Sequence, residues 1–164
     1  MKKIFLELER CDGCLTCTLA CAAEHSKSKS ITGAMAEGIQ PRLEVEAAGN
    51  KAVPVLCHHC EEPACVEACM TGAMKKDPES GLVTNEGHEQ KCIGCWMCIM
   101  ACPYGAIKQN QGREKVALKC DGCVGREIPA CVDSCPNRAL VYAEPDDFAE
   151  TNRKRTALET VKAS

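Results

Sequence analysis

Short runs in which hydrophobic and polar residues alternate recur along this chain of 164 residues and predict strands. Residues 3–9 form the first run, with an apolar residue at every second position from Ile4. Residues 42–47 and 51–56 flank the turn dipeptide Gly49-Asn50 and predict a hairpin. The pattern is typical of small sheets rather than of long packed helices.

Two more hairpins are predicted where apolar segments enclose polar turn residues. Residues 73–76 and 82–84 enclose a loop of Asp, Pro, Ser and Gly, and residues 106–109 and 115–119 enclose a loop that contains Gly112. Another strand is expected over the apolar residues 139–142.

Helices are predicted at residues 15–24 and from Pro145 to about residue 162, where a proline and two aspartates open the segment. Residues 25–40 are rich in Ser, Lys and Gly and are predicted to be a loop. The resulting fold class is α+β, a nested arrangement of ferredoxin-like units in which short helices and hairpins repeat.

Composition makes the apolar core thin. The chain is 45% hydrophobic with its cysteines counted, contains one Trp, two Tyr and two Phe, and has 16 cysteines. Without the cysteines only about 35% of the residues are apolar, so we expect metal–thiolate bonds to supply much of the folding energy.

The cysteines fall into four quartets, each of which opens Cys-x2-Cys and closes Cys-x3-Cys. The first and third have the spacing with which bacterial ferredoxins hold cubane clusters, and the second and fourth are stretched in the middle. Four [4Fe–4S] clusters are therefore predicted. The quartets are Cys11, Cys14, Cys17 and Cys21; Cys57, Cys60, Cys65 and Cys69; Cys92, Cys95, Cys98 and Cys102; and Cys120, Cys123, Cys131 and Cys135.

The spacing also predicts that quartets exchange their last cysteine. Three cysteines on a tight loop bind one cluster, whereas the fourth is carried away on a helix and faces another cluster. With oxidised clusters of about −2 each added to a formal charge of −3, we expect low reduction potentials that differ among the sites.

Two other uses of cysteine are disfavoured. A disulfide scaffold does not fit because the N-terminus lacks the apolar stretch and cleavage site of a secretory signal. Zinc uses two separated Cys-x2-Cys pairs and has no use for a third cysteine at i+6. The sequence further predicts a cytoplasmic protein without a membrane span, nucleic-acid partner or catalytic residues.

Three histidines have separate interpretations. His25 and His88 are predicted to be ordinary surface residues. His59 stands where the other quartets have glycine, just before the second cysteine, and is either solvent-exposed or a hydrogen-bond donor that tunes a cluster's potential.

The chain resembles the four-cluster iron–sulfur subunit of the dimethyl sulfoxide reductase superfamily over residues 4 to about 143. The resemblance is carried by the stretches Cys57-His58-His59-Cys60-Glu61-Glu62-Pro63-Ala64-Cys65, Lys91-Cys92-Ile93-Gly94-Cys95, Ala101-Cys102-Pro103-Tyr104-Gly105-Ala106 and Lys119-Cys120-Asp121-Gly122-Cys123.

This resemblance implies nested pairing of the quartets, which spacing alone does not fix. It implies an outer pair of clusters from residues 1–30 and 115–144, an inner pair from residues 50–112, and a separate helical tail over residues 145–164. The implied ligand sets are Cys11, Cys14, Cys17 and Cys135; Cys120, Cys123, Cys131 and Cys21; Cys57, Cys60, Cys65 and Cys102; and Cys92, Cys95, Cys98 and Cys69.

The resemblance also implies a non-catalytic electron-transfer subunit from an anaerobic setting. Its expected partner is a large catalytic subunit of a carbon monoxide dehydrogenase, formate dehydrogenase, hydrogenase or tungsten or molybdenum aldehyde oxidoreductase. A flavin-containing or hydrogenase-type subunit, a soluble ferredoxin, and further copies of the chain stacked in arrays are additional candidate partners. The alternatives are a diffusible polyferredoxin and a redox-responsive scaffold.

Overall fold

The computed structural model describes residues 1–112 and 114–163, and in this part of the chain it has the predicted α+β architecture. Eight short strands pair in four antiparallel two-stranded sheets. The strands are β1 (Lys3–Leu6), β2 (Glu44–Ala48), β3 (Lys51–Val55), β4 (Lys75–Lys76), β5 (Val83–Thr84), β6 (Ile107–Gln109), β7 (Ala117–Lys119) and β8 (Leu140–Ala143); the helices are α1 (Thr16–Glu24), α2 (Ile31–Glu37), α3 (Ala64–Glu67), α4 (Met97–Ala101), α5 (Ala130–Asp133) and α6 (Pro145–Ala163).

The three predicted hairpins are present as β2–β3, β4–β5 and β6–β7. The first turns at Gly49, which has a positive φ of 63° that glycine adopts without steric cost. The other two have strands of only two or three residues, because the cysteine loops begin almost at once on either side.

The first and last strands form a sheet that joins the two ends of the cysteine-containing region. Lys3 pairs with Ala143 and Leu6 with Leu140, and the backbone N–H of Glu7 then donates to the carbonyl of Ala139 at 2.8 Å. This sheet brings the first and fourth quartets to the same side of the molecule. Helices α1 and α5, which carry cysteines of those quartets, are likewise in contact.

The prediction that residues 25–40 form a loop is wrong for their second half, where α2 lies. Ser30 caps this helix, since its hydroxyl accepts a hydrogen bond from the N–H of Gly33 at 3.1 Å. Gly38 ends it in the left-handed conformation, with φ 67°. The capping residues are the serine and glycine that made the segment resemble a loop.

Two small core clusters are built partly from cysteine sulfur. One combines Leu43, Leu56 and Leu140 with cysteines of the first and fourth quartets, and the other combines Met74, Val83 and Ile107 with cysteines of the second and third. The core is therefore divided in the way that the quartets are paired. Its cysteine members among fully buried residues are Cys17, Cys21 and Cys131 in the first cluster and Cys98 in the second.

Helix α6 packs on the outside of the β1–β8 sheet through its first three turns. The rings of Phe5 and Phe148 stack with their centroids 4.2 Å apart and an interplanar angle of 8°. Arg155 forms an ion pair with the mostly buried carboxylate of Glu7 at 2.8 Å. Beyond these contacts the helix is exposed, with Leu158 and Val161 open to solvent. No helix of residues 1–112 or 114–163 has the length and hydrophobicity needed to cross a bilayer.

The Phe5–Phe148 stack is expected to hold α6 in place. Replacing Phe148 by Ala removes the stack and its buried area, which stabilise docking by at least about 1 kcal/mol. Hydrogen exchange should then accelerate in residues 145–163 by roughly fivefold or more and stay unchanged in the cysteine loops. Leu158→Ala, at an exposed position of the same helix, is the matched control, and equal acceleration in both variants would contradict the docking role of the stack.

Candidate metal-cluster sites

Each quartet begins with a tight loop whose residue before the second cysteine has a left-handed backbone. These four residues are Gly13, His59, Gly94 and Gly122, with φ of 67°, 44°, 69° and 75°. A side chain at Gly94 would place its Cβ 2.2 Å from the carbonyl oxygen of Lys115, a clash with backbone that cannot easily move. The repeated conformation explains the glycines and makes His59 a strained exception.

Two loops of the inner quartets surround the first cavity, which we call the His59 cavity. It is lined by three cysteines of the second quartet and by the last cysteine of the third. Burial raises the pKa of Cys65, and the negative charges of Cys57 and Cys102 raise it further. The cysteines that line this cavity are Cys57, Cys60, Cys65 and Cys102.

A second cavity, which we call the Trp96 cavity, has the reciprocal composition. It is lined by three cysteines of the third quartet and by the last cysteine of the second. Burial raises the pKa of Cys98 to about 11, and the charge of Cys92 raises it further. Cys65 contributes to the same shift, so the two cavities are neighbours. The cysteines of the Trp96 cavity are Cys69, Cys92, Cys95 and Cys98.

The cysteines of the outer quartets also meet across the chain. Burial raises the pKa of Cys131, and the charges of Cys120, Cys21 and Cys123 raise it further. Cys17 has its pKa raised by burial, with Cys135 and then Cys14 as its nearest charged cysteines. Cys11 caps the short turn at Leu8–Arg10, three residues before Cys14.

The sulfur atoms are supplied with hydrogen-bond donors, as metal-bound thiolates require. Six of them accept backbone N–H groups at distances of 3.2 to 3.5 Å. The donors are Arg42 to Cys21, His59 to Cys57, Met74 to Cys69, Ala117 to Cys92, Gly122 to Cys120 and Ala139 to Cys135.

The arrangement fits inorganic clusters better than single ions. In the part of the chain that the structure describes, no three His, Cys, Asp or Glu side chains converge on a point that a lone metal ion would occupy. The thiols instead surround cavities, and all sixteen are free of disulfide bonds. Burial also raises the pKa of Cys120 to about 12, so metal must displace its proton.

A lysine lies between the inner and outer sites. Lys119, at the end of β7, is 2% exposed. Its Nζ donates to Cys57 Sγ at 3.1 Å, to the carbonyl of Val83 at 2.5 Å and to the carbonyl of Cys120 at 3.0 Å. Three acceptors match the three hydrogens of an ammonium group. In the sequence Lys119 stands out only as part of a family motif, and no local pattern indicates that it is buried.

His59 is buried, which rules out solvent exposure and leaves the tuning interpretation. It is 8% exposed and lines the His59 cavity. Its Nδ1 accepts the N–H of Val83 at 2.9 Å, so its proton is on Nε2, which is buried without a hydrogen-bond partner among the described residues. Burial, helped by the charge of Lys119, lowers the pKa of His59 to about 3 and keeps the ring neutral.

The prediction that His25 is an ordinary surface residue is wrong. Its Nε2 lies 3.2 Å from Asp121 Oδ1, its Nδ1 donates to the carbonyl of Cys21 at 2.7 Å, and its side chain is 12% exposed. Burial opposes the charged ring, but the Asp121 and Cys21 acceptors outweigh it and raise the pKa of His25 to about 10. Arg42 joins the group, with Nη1 3.4 Å from Asp121. His88 is half-buried and lies 3.2 Å from the Thr84 hydroxyl.

Comparison with known families agrees with this geometry. The family of 4Fe-4S dicluster domains matches residues 50–144, and a 4Fe-4S binding domain matches residues 8–24. Together the matched regions contain all four quartets, and the sixteen cysteines fit four [4Fe–4S] clusters.

Curated relatives match along nearly the whole chain. An "Iron-sulfur protein" of Rhodospirillum rubrum is 35% identical over 98% of this chain and 91% of its own length. The "Electron transport protein HydN" of Escherichia coli is 32% identical over 94% of this chain and 97% of its own. The B subunit of the anaerobic dimethyl sulfoxide reductase of the same organism is 36% identical over 94% and 78%. The chain therefore belongs to the 4Fe-4S dicluster family, in the ferredoxin-like group that includes the iron–sulfur subunit of dimethyl sulfoxide reductase.

Proposed function

We propose that this chain is a non-catalytic electron-transfer subunit that relays single electrons through four [4Fe–4S] clusters. Its expected partners are a catalytic oxidoreductase subunit at one end and an electron donor or acceptor at the other. The observation that carries the proposal is the pair of adjacent cavities, each lined by four cysteines from two quartets. The relatives named as an electron transport protein and as a subunit of a reductase support the same role.

The proposed ligand sets are the nested ones. The two inner sets have the same members as the cysteines that line the His59 and Trp96 cavities, which supports their assignment. The proximity of Cys131 to Cys21, and of Cys17 to Cys135, supports the outer sets. The proposed division into an outer pair from residues 1–30 and 115–144 and an inner pair from residues 50–112 is supported by the β1–β8 sheet.

When bound, each cluster supplies a site that gains or loses one electron. The protein holds the thiolates, shields them from water and directs N–H groups at their sulfur atoms, and these three features set how readily each site is reduced. The adjacency of the inner cavities supports electron transfer along a chain of closely spaced sites.

The partner proposed is a tungsten, molybdenum or nickel enzyme of the kinds named by the resemblance, in a cytoplasmic, anaerobic setting. A diffusible polyferredoxin has the same sites but no fixed partner. Stacking of copies into arrays stays a prediction.

Purification under anaerobic conditions followed by native mass analysis tests the function. About sixteen iron atoms and the uptake of about four electrons per chain are expected. A large oxidoreductase subunit should accompany the chain in fixed stoichiometry. Recovery of the iron-loaded chain alone would favour the diffusible polyferredoxin, and stoichiometric zinc or a fully folded chain with far less iron would contradict the proposal.

Cysteine exchange between the inner quartets has its own test. Cys102→Ser should alter the paramagnetic resonance signal of the same cluster as Cys60→Ser, although Cys102 belongs to the third quartet. Cys95→Ser is the matched control, because it should alter the other inner cluster. A Cys102→Ser spectrum that resembles the Cys95→Ser spectrum would contradict the exchange.

Removal of iron is expected to unfold the chain, because cysteine sulfur occupies both small core clusters. Treatment with a chelator and a mild oxidant should abolish cooperative thermal unfolding and most of the strand and helix signal in circular dichroism. Reconstitution with iron and sulfide should restore both. An iron-free chain with a native spectrum and a cooperative transition would show that the apolar residues suffice.

A further inference from the structure

We propose that Lys119 and His59 make the cluster held by Cys57, Cys60, Cys65 and Cys102 the most readily reduced of the four. The inference rests on the ligand sets of the proposed function. It assigns two positioning residues and the top of the order of reduction potentials, neither of which the cysteine spacing specifies.

Lys119 places a positive charge directly against one thiolate of this set. Its Nζ is 3.1 Å from Cys57 Sγ, and its other two hydrogens are bound by the carbonyls of Val83 and Cys120. All three of these acceptors are fixed by backbone or by a ligand, so the ammonium cannot turn away from the site. Reduction adds a negative charge to the cluster, and a buried cation nearby stabilises that charge with little screening by water.

His59 adds a second donor from another wall of the same cavity. Its Nδ1 is occupied by the N–H of Val83, which fixes the proton on Nε2. Nε2 is buried and has no partner among the described residues, although the residue lines the cavity. A buried N–H is almost always paired, so its partner is a sulfur atom of the bound cluster. Such a hydrogen bond raises the potential in the same direction as Lys119.

The left-handed backbone of His59 is consistent with this role. The equivalent loop position is glycine in the other three quartets, and a histidine there costs conformational strain. The strain is offset in the folded protein by a side chain that fills the cavity wall and donates to its occupant.

The other sites have neutral donors or neutralised cations. In the Trp96 cavity, Cys69 and Cys92 accept backbone N–H groups from Met74 and Ala117. At the outer site with Cys21, the cations His25 and Arg42 share the Asp121 carboxylate, and Arg42 also pairs with Glu86 at 2.9 Å.

Lys119 differs from these cations because its acceptors are two carbonyls and a thiolate rather than a carboxylate. Its full charge therefore acts on the cluster. This difference favours the site of the second quartet over the outer site with Cys21.

The test is a redox titration of the anaerobic holo-protein followed by paramagnetic resonance. Cys60→Ser identifies the cluster of the second quartet, and we expect the signal with the highest potential to change or disappear in that variant. If a cluster of lower potential changes instead, the inference is wrong although the ligand assignment stands. If Cys60→Ser changes no cluster signal, the assignment under the proposed function is wrong.

Lys119→Met should lower the equilibrium constant for reduction of this cluster at least tenfold, which is about 59 mV for one electron. Lys91→Met is the matched control, since Lys91 precedes Cys92 as Lys119 precedes Cys120 but is exposed. An unchanged potential in Lys119→Met, or an equal shift in Lys91→Met, would overturn the inference.

His59→Asn provides a variant with a milder effect on folding, because Asn tolerates the left-handed backbone and cannot reach as far as imidazole. It should shift the same cluster in the same direction by less than Lys119→Met does. An unchanged or raised potential of this cluster in His59→Asn would refute the part assigned to the imidazole. If Lys119→Met fails to bind clusters, the order of potentials in the wild-type protein decides the inference.

Discussion

Burial of cysteine sulfur is the constraint on which the rest of this structure depends. The apolar core is small, and its two clusters are completed by cysteines such as Cys21, Cys98 and Cys131. Buried thiols have raised pKa values, as burial does at Cys98 and Cys120, and buried thiolates need hydrogen bonds or cations. The tight left-handed loops meet this need, because they turn backbone N–H groups toward sulfur where side chains would be too long.

Much of the fold and of the site could be predicted because the relevant signals are local. The hairpin at Gly49, the helix that begins at Pro145 and the cysteine loops each depend on residues adjacent in sequence. The quartet spacing likewise limits which chemistry the cysteines can perform. These features need no knowledge of how distant segments pack.

The features that sequence reasoning missed depend on distant segments. The burial of His25 follows from Asp121, which is 96 residues away, and that of Lys119 follows from Cys57 and Val83 in other loops. Helix α2 was missed for a different reason, since its Ser30 cap and Gly38 terminus are residues that also favour loops. The left-handed position of His59 was the one available sign of its role, because a non-glycine residue there departs from the other three quartets.

Lys119 also links the two halves of the nested fold. Its peptide bond joins it to Cys120 of the fourth quartet, and its ammonium group binds Cys57 of the second and the carbonyl of Cys120. One residue thus connects ligands proposed for an outer and an inner cluster by a single side chain and its hydrogen bonds. A surface lysine would not have this consequence, since it would be hydrated and free to move. The position of this charge makes the junction between the two pairs rigid, and it makes the electrostatic environment of the inner site depend on the folding of the outer one.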